Sequence, residues 1–140
     1  MHGVLGLAIA ATFIWLGMVL AISFLEAPLK FRAPGVTLQV GLGIGRLVFR
    51  ALNICEWVLA AAAMIFTPKD GSAMPALVAL VAATAMLASQ MLFVRPALTR
   101  RSDQVLAGAE GPRSRAHYAY VALELAKVAA LIAAGALLLT

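Results

Sequence analysis

Charge is scarce in this sequence. Asp, Glu, Lys and Arg together make up 12% of its 140 residues, whereas 64% are hydrophobic, and the mean hydropathy is +0.99. A chain so poor in polar groups cannot cover a globule with water-compatible surface, which excludes a soluble domain. Cysteine is nearly absent too: Cys55 stands alone, so no disulfide forms within the chain, and a buried structural thiol is its default role. Histidine is limited to His2 and His117. Polar and apolar residues do not alternate through the hydrophobic runs, and this excludes an outer-membrane barrel in favour of helices.

The apolar residues that fill the chain fall into four runs: Val4 to Leu25, Leu47 to Phe66, Ala76 to Val94 and Tyr118 to Leu139. Each has the roughly 17–25 residues that cross about 30 Å of hydrocarbon as a helix, the only open-ended element that satisfies its backbone in lipid. The predicted fold is all-α, an integral membrane four-helix bundle in one domain over residues 1–140, with helices at about 4–27, 37–66, 75–98 and 116–139. The first run has no basic n-region and is too long for a signal-peptide core, so it is expected to be a retained helix.

The net charge of +5 is unevenly placed. Lys30, Arg32 and Arg46 lie between the first and second runs, and Arg95, Arg100, Arg101, Arg113 and Arg115 between the third and fourth; "TPKDGSAMP" has only Lys69, next to Asp70. The positive-inside rule makes the two basic connections cytoplasmic, giving a multi-pass inner-membrane protein with both termini on the non-cytoplasmic side. Topology and anionic headgroups explain these cations, so the lipid bilayer is the expected partner and nucleic acid is not.

Charge-free runs alternate with charged ones, as though one helical hairpin were used twice. An offset of 68 residues lays Pro28 on Pro96, Arg32 on Arg100 and Glu56 on Glu124 (96 − 28 = 100 − 32 = 124 − 56 = 68). Identity at this offset is otherwise low. Two such hairpins would be parallel repeats about an axis along the membrane normal, with the glutamates facing each other across it. The glycines of "GVTLQVGLGIGR" fit no phosphate-binding pattern, but Gly41 and Gly45 form a GxxxG expected to pack a helix closely.

Helical spacing sorts the remaining polar residues. Arg46, Arg50, Asn53 and Glu56 recur at four, three and three residues, and His117, Tyr120, Glu124 and Lys127 at three, four and three, so each set forms one stripe. Glu56 is ten residues from Phe66 and Glu124 nine from Arg115, which puts both carboxylates about 14–15 Å deep. The stripes are expected to face each other inside the bundle, with the first and third helices as apolar walls and Glu26 closing the arginine-rich end with Arg46 or Arg95. Lys127, one turn from Glu124, is that residue's natural partner. Glu56 is then the carboxylate expected to exchange a proton.

Few chemistries suit these residues. Ser23 and Ser89 lack a histidine and an orienting acid, so nucleophilic catalysis has no support and an enzymatic role is not indicated. No metal site is predicted. The scattered methionines do not form a copper site, and haem would depend on His117 as a single axial ligand. "SFLEAPLKFRAP", "GRLVFRALNICEW" and "HYAYVALELAK" give the chain an architecture that resembles small four-helix membrane proteins of the copper-resistance-D-like superfamily. That resemblance implies copper handling or porphyrin oxidation at histidines within the helices, and this chain has no mid-membrane histidine. Small-ion or proton-coupled transport is therefore the expected function. The alternatives are a haem- or metal-binding redox protein and a non-catalytic accessory subunit in a homo-oligomer or membrane complex.

Overall fold

The computed structural model describes residues 2–108 and 115–140. Arg113, one of the cations used to orient the chain, lies outside them. Among the described residues four helices are long and apolar enough to cross a membrane: α1 (Gly3–Arg32), α2 (Leu38–Phe66), α3 (Met74–Leu106) and α4 (Arg115–Leu139). They form an all-α bundle without strands among the described residues. Its surface is inverted relative to a soluble protein, with Leu47, Ile65 and Phe93 each about 70% exposed or more.

Each helix buries a stripe spaced by threes and fours. On α3 it runs Ala76, Leu80, Ala83, Leu87, Gln90; on α4 Glu124, Lys127, Leu131, Ala134, Leu138; on α2 Asn53, Glu56, Ala60, Ala63, with Thr67 at its C-cap; and on α1 Ala8, Ala11, Trp15, Val19. A repeat near 3.5 residues keeps one seam inward along the whole length, and the alanines let the backbones approach closely. The polar residues extend the apolar seam at the same spacing.

α1 packs beside α2 and α4, and α3 packs beside α4 and more lightly beside α2. α2 and α4 therefore stand on the diagonal. Their polar stripes face each other as expected, but across the bundle axis, where long side chains span the gap: Lys127 reaches Glu56, and Phe49 meets Tyr120.

Both prolines lie inside helices. Leu20–Glu26 in α1 and Gln90–Val94 in α3 are wider π turns just before Pro28 and Pro96. A mid-helix proline clashes with the carbonyl four residues earlier, here Phe24 and Leu92, and a widened turn relieves that clash without ending the helix. α3 then runs 33 residues, about 50 Å, so its last turns project beyond a 30 Å core.

The connections follow local rules. Thr37 caps α2, its hydroxyl accepting from the Val40 amide at 3.1 Å. Gly41 is covered by the Phe31 ring, which leaves no room for a Cβ there. At the other end Gly71, with φ +94°, turns the chain into α3.

Candidate functional site

Three charged side chains meet in the middle of the bundle. Lys127 Nζ lies 2.5 Å from Glu56 Oε1 and 2.6 Å from Glu124 Oε1, and all three residues are at most 1% exposed. The third ammonium proton goes to Gln90 Oε1 at 2.9 Å, so every donor of Lys127 is used.

The two carboxylates are served unequally. Glu124 Oε1 also accepts from Gln90 Nε2 at 3.2 Å, and its Oε2 accepts from Ser23 Oγ at 2.6 Å. Glu56 Oε1 also accepts from Trp15 Nε1 at 3.0 Å, whereas its Oε2 is buried without a hydrogen-bond partner. Lys127 thus pairs with Glu124, as the one-turn spacing implies, and with Glu56 as well, so it belongs to both acids. The asymmetry between the acids lies in the second oxygen of Glu56.

The charge-free helices are more than walls. α1 supplies Trp15 and Ser23, and α3 supplies Gln90, so all four helices reach the cluster. Ser23 and Gln90 each sit in a π turn, a distortion often found at functional sites. None of these three residues was anticipated as part of the site. Gln90 carried a usable signal, because it continues the spacing of Ala76, Leu80, Ala83 and Leu87 as an amide in an apolar run.

The rest of the predicted stripes scatter toward the arginine-rich end. Asn53, one turn from Glu56, is 2% exposed, and both its amide atoms are buried without partners. Arg50 and Asn53 line a cleft of about 400 Å³ with Ile54, Trp57, Met91 and Arg95. Tyr120 is half-buried and edge-on to Phe49, with ring centroids 6.1 Å apart; its hydroxyl has no hydrogen-bond partner, and its backbone carbonyl accepts from Gln90.

Arg46 and His117 stand apart from the buried cluster. Arg46 is ion-paired with Asp103 and donates to Ser102 Oγ at 3.1 Å, tying α2 to the projecting end of α3. Glu26 lies 3.8 Å from Lys30 on its own helix, which replaces the expected closure with Arg46 or Arg95. His117 stacks edge-on against Tyr118 at 5.7 Å between ring centroids. Among the described residues no group of three or more His, Cys, Asp or Glu side chains is placed to hold a metal ion, so the redox reading has no donor set here.

No family model, no curated protein and no solved structure matches the chain. The resemblance to the copper-resistance-D-like superfamily accordingly rests on architecture alone. The chain is a small polytopic helical membrane protein with a buried Glu56–Lys127–Glu124 network.

Proposed function

We propose that the protein moves a proton or a small monovalent cation across the inner membrane, using the Glu56–Lys127–Glu124 triad as its exchange site. The observation that carries this reading is the charge count. Two carboxylates share one ammonium, and one carboxylate oxygen, Glu56 Oε2, is left without a hydrogen bond.

An unbalanced negative charge in a low-dielectric interior is costly, and one proton or one small cation removes the imbalance. Architecture alone is a weak reason to bury such a set, because polar contacts within membranes contribute only about 0.6 kcal/mol on average. Asn53 gives the exchange a route. It lies one turn from Glu56 at the base of the cleft between Arg50 and Arg95, so the triad is approached from the arginine-rich, cytoplasmic end. Toward the other end the seam is closed by Ala60, Ala63, Leu80, Leu131 and Ala134.

The test is flux in proteoliposomes loaded with a pH-sensitive dye and driven by a pH or sodium gradient. Wild-type protein is expected to dissipate one of the gradients, and Glu56→Gln to abolish that dissipation while still folding. Equal flux from Glu56→Gln, or none from wild type above empty liposomes, overturns the reading. The competing role is that of an architectural pin in an accessory subunit. It is favoured by the hydrogen bonds that Trp15, Ser23 and Gln90 donate to the two carboxylates, and it predicts altered melting with no flux in any variant.

A further inference from the structure

The cleft beside Asn53 has a property that ion exchange does not use: it sets two arginines together with no acid to balance them. Arg50 on α2 and Arg95 on α3 both line it, and neither has a carboxylate partner among the described residues. Arg50 is sixteen residues from Phe66 and Arg95 twenty-one from Met74, about 24 and 32 Å along their helices. Across a core of about 30 Å both guanidiniums therefore reach the headgroup level of the same leaflet. α2 and α3 are also the neighbours that pack most lightly, as expected where two like charges face each other.

We propose that this cleft is a binding site for an anionic phospholipid, its phosphate held between Arg50 and Arg95 and its acyl chain laid along α2. The guanidinium fork matches phosphate oxygens in pairs, and a phosphate offsets the repulsion between two guanidiniums lining one cleft. Asn53 supplies the deeper polar contact. Its amide is 98% buried with no partner on either atom, so the floor of the cleft has hydrogen-bonding capacity to spare.

A lipid, rather than a soluble anion, is specified by what adjoins the arginines. The remaining lining is Ile54, Trp57 and Met91, and Ile54 and Trp57 are 61% and 40% exposed on a lipid-facing helix surface. Ile54 is shared with an apolar groove of about 280 Å³ on the α1 side, where Ile14, Met18 and Val58 continue the path. Only a ligand with an anionic head and a long hydrocarbon tail fills both. Basic pockets between membrane helices are recognised headgroup sites.

Native mass spectrometry of the full chain released from mixed micelles tests the assignment with phosphatidylglycerol and phosphatidylcholine as probes. Phosphatidylglycerol is expected to be retained at least about tenfold more strongly: both lipids offer a phosphodiester, but the choline ammonium of phosphatidylcholine cancels its charge and is repelled by the two guanidiniums. Arg50→Gln combined with Arg95→Gln is expected to remove that preference, while Arg46→Gln, outside the cleft, preserves it. Ile54→Trp obstructs the tail path without touching charge at an exposed position, so it is expected to weaken retention even if the double variant does not fold. Equal retention of the two lipids, unchanged preference in the variant lacking both arginines, or undiminished retention of phosphatidylglycerol by Ile54→Trp, overturns the proposal. Displacement of phosphatidylglycerol by millimolar inorganic phosphate also overturns it, by reassigning the arginines to a soluble anion.

Discussion

The two hairpins share one backbone device, a π turn ahead of a proline, and differ in charge. Under the 68-residue offset, residues 22–26 of the first π turn fall on 90–94 of the second, and each is followed by the matched prolines Pro28 and Pro96. Glu56 and Glu124 coincide and end on the same ammonium. That ammonium has no counterpart, because the position in the first hairpin equivalent to Lys127 is Leu59 (127 − 68 = 59). The cationic cleft is also one-sided: Arg50, Asn53 and Arg95 fall on Tyr118, Val121 and Ala27. Where the offset pairs the acids it does not pair the cations, so the shared ammonium and the arginine cleft each have no counterpart under it.

The strongest way to break this comparison is Lys127→Met. Two buried carboxylates would lose their shared counter-charge, and stranding buried charge in this way costs roughly 3–5 kcal/mol. The melting temperature in detergent should fall more than in any other single variant. Adding Leu59→Lys moves the ammonium to the equivalent place in the other hairpin. If the hairpins are related about the bundle axis, the double variant should recover about half of the loss or more; no recovery would show that the match at 68 is superficial.

Removing one acid at a time sharpens the comparison. Glu124→Gln disturbs contacts to Lys127, Gln90 and Ser23, whereas Glu56→Gln disturbs contacts to Lys127 and Trp15 and leaves the unpartnered oxygen site empty of charge. Glu124→Gln is expected to destabilise the bundle by about 2–3 kcal/mol and Glu56→Gln by about 1 kcal/mol, read as thermal or denaturant midpoints. Equal losses would make the two acids equivalent and remove the basis for assigning exchange to Glu56. Gln90→Leu should fall between them at about 1–3 kcal/mol, because it strands one donor of Lys127 and one acceptor site of Glu124.

How far these contacts could be read from sequence depends on what each residue type signals. Helix number and the burial of Glu56, Glu124 and Lys127 were legible because a charge inside a 20-residue apolar run has nowhere to go but the interior. Trp15, Ser23 and Gln90 were not, because an indole, a hydroxyl and an amide are tolerated in such runs without announcing a partner. Spacing placed Arg46 on the same stripe as Arg50, but Arg46 sits one turn farther out, where water and Asp103 are within reach. Spacing within one helix also says nothing about which helices are neighbours. The diagonal placement of α2 and α4, and with it the sharing of Lys127, depends on how four seams close together.

The smallest effect expected lies in the loop that joins the two hairpins. Asp70 Oδ1 accepts from the Ser72 amide at 3.0 Å and from the Ser72 hydroxyl at 2.5 Å, and these two bonds hold its carboxyl below the ordinary aspartate value. Both favour the ionised form, so their contribution to loop order is fully present above the ordinary aspartate value and fades as pH falls through the depressed folded one. Because Asp70 is fully exposed, the effect should be local, visible in the titration of its carboxyl carbon by NMR and hardly visible in the melting temperature. Ser72→Ala removes the hydroxyl bond and leaves the amide bond. The titration midpoint should therefore move up toward the ordinary value without reaching it. A midpoint that does not move on Ser72→Ala would mean that the amide alone sets it. The loop would then be a plain Asx turn, in which the serine hydroxyl adds nothing to the link between the two hairpins.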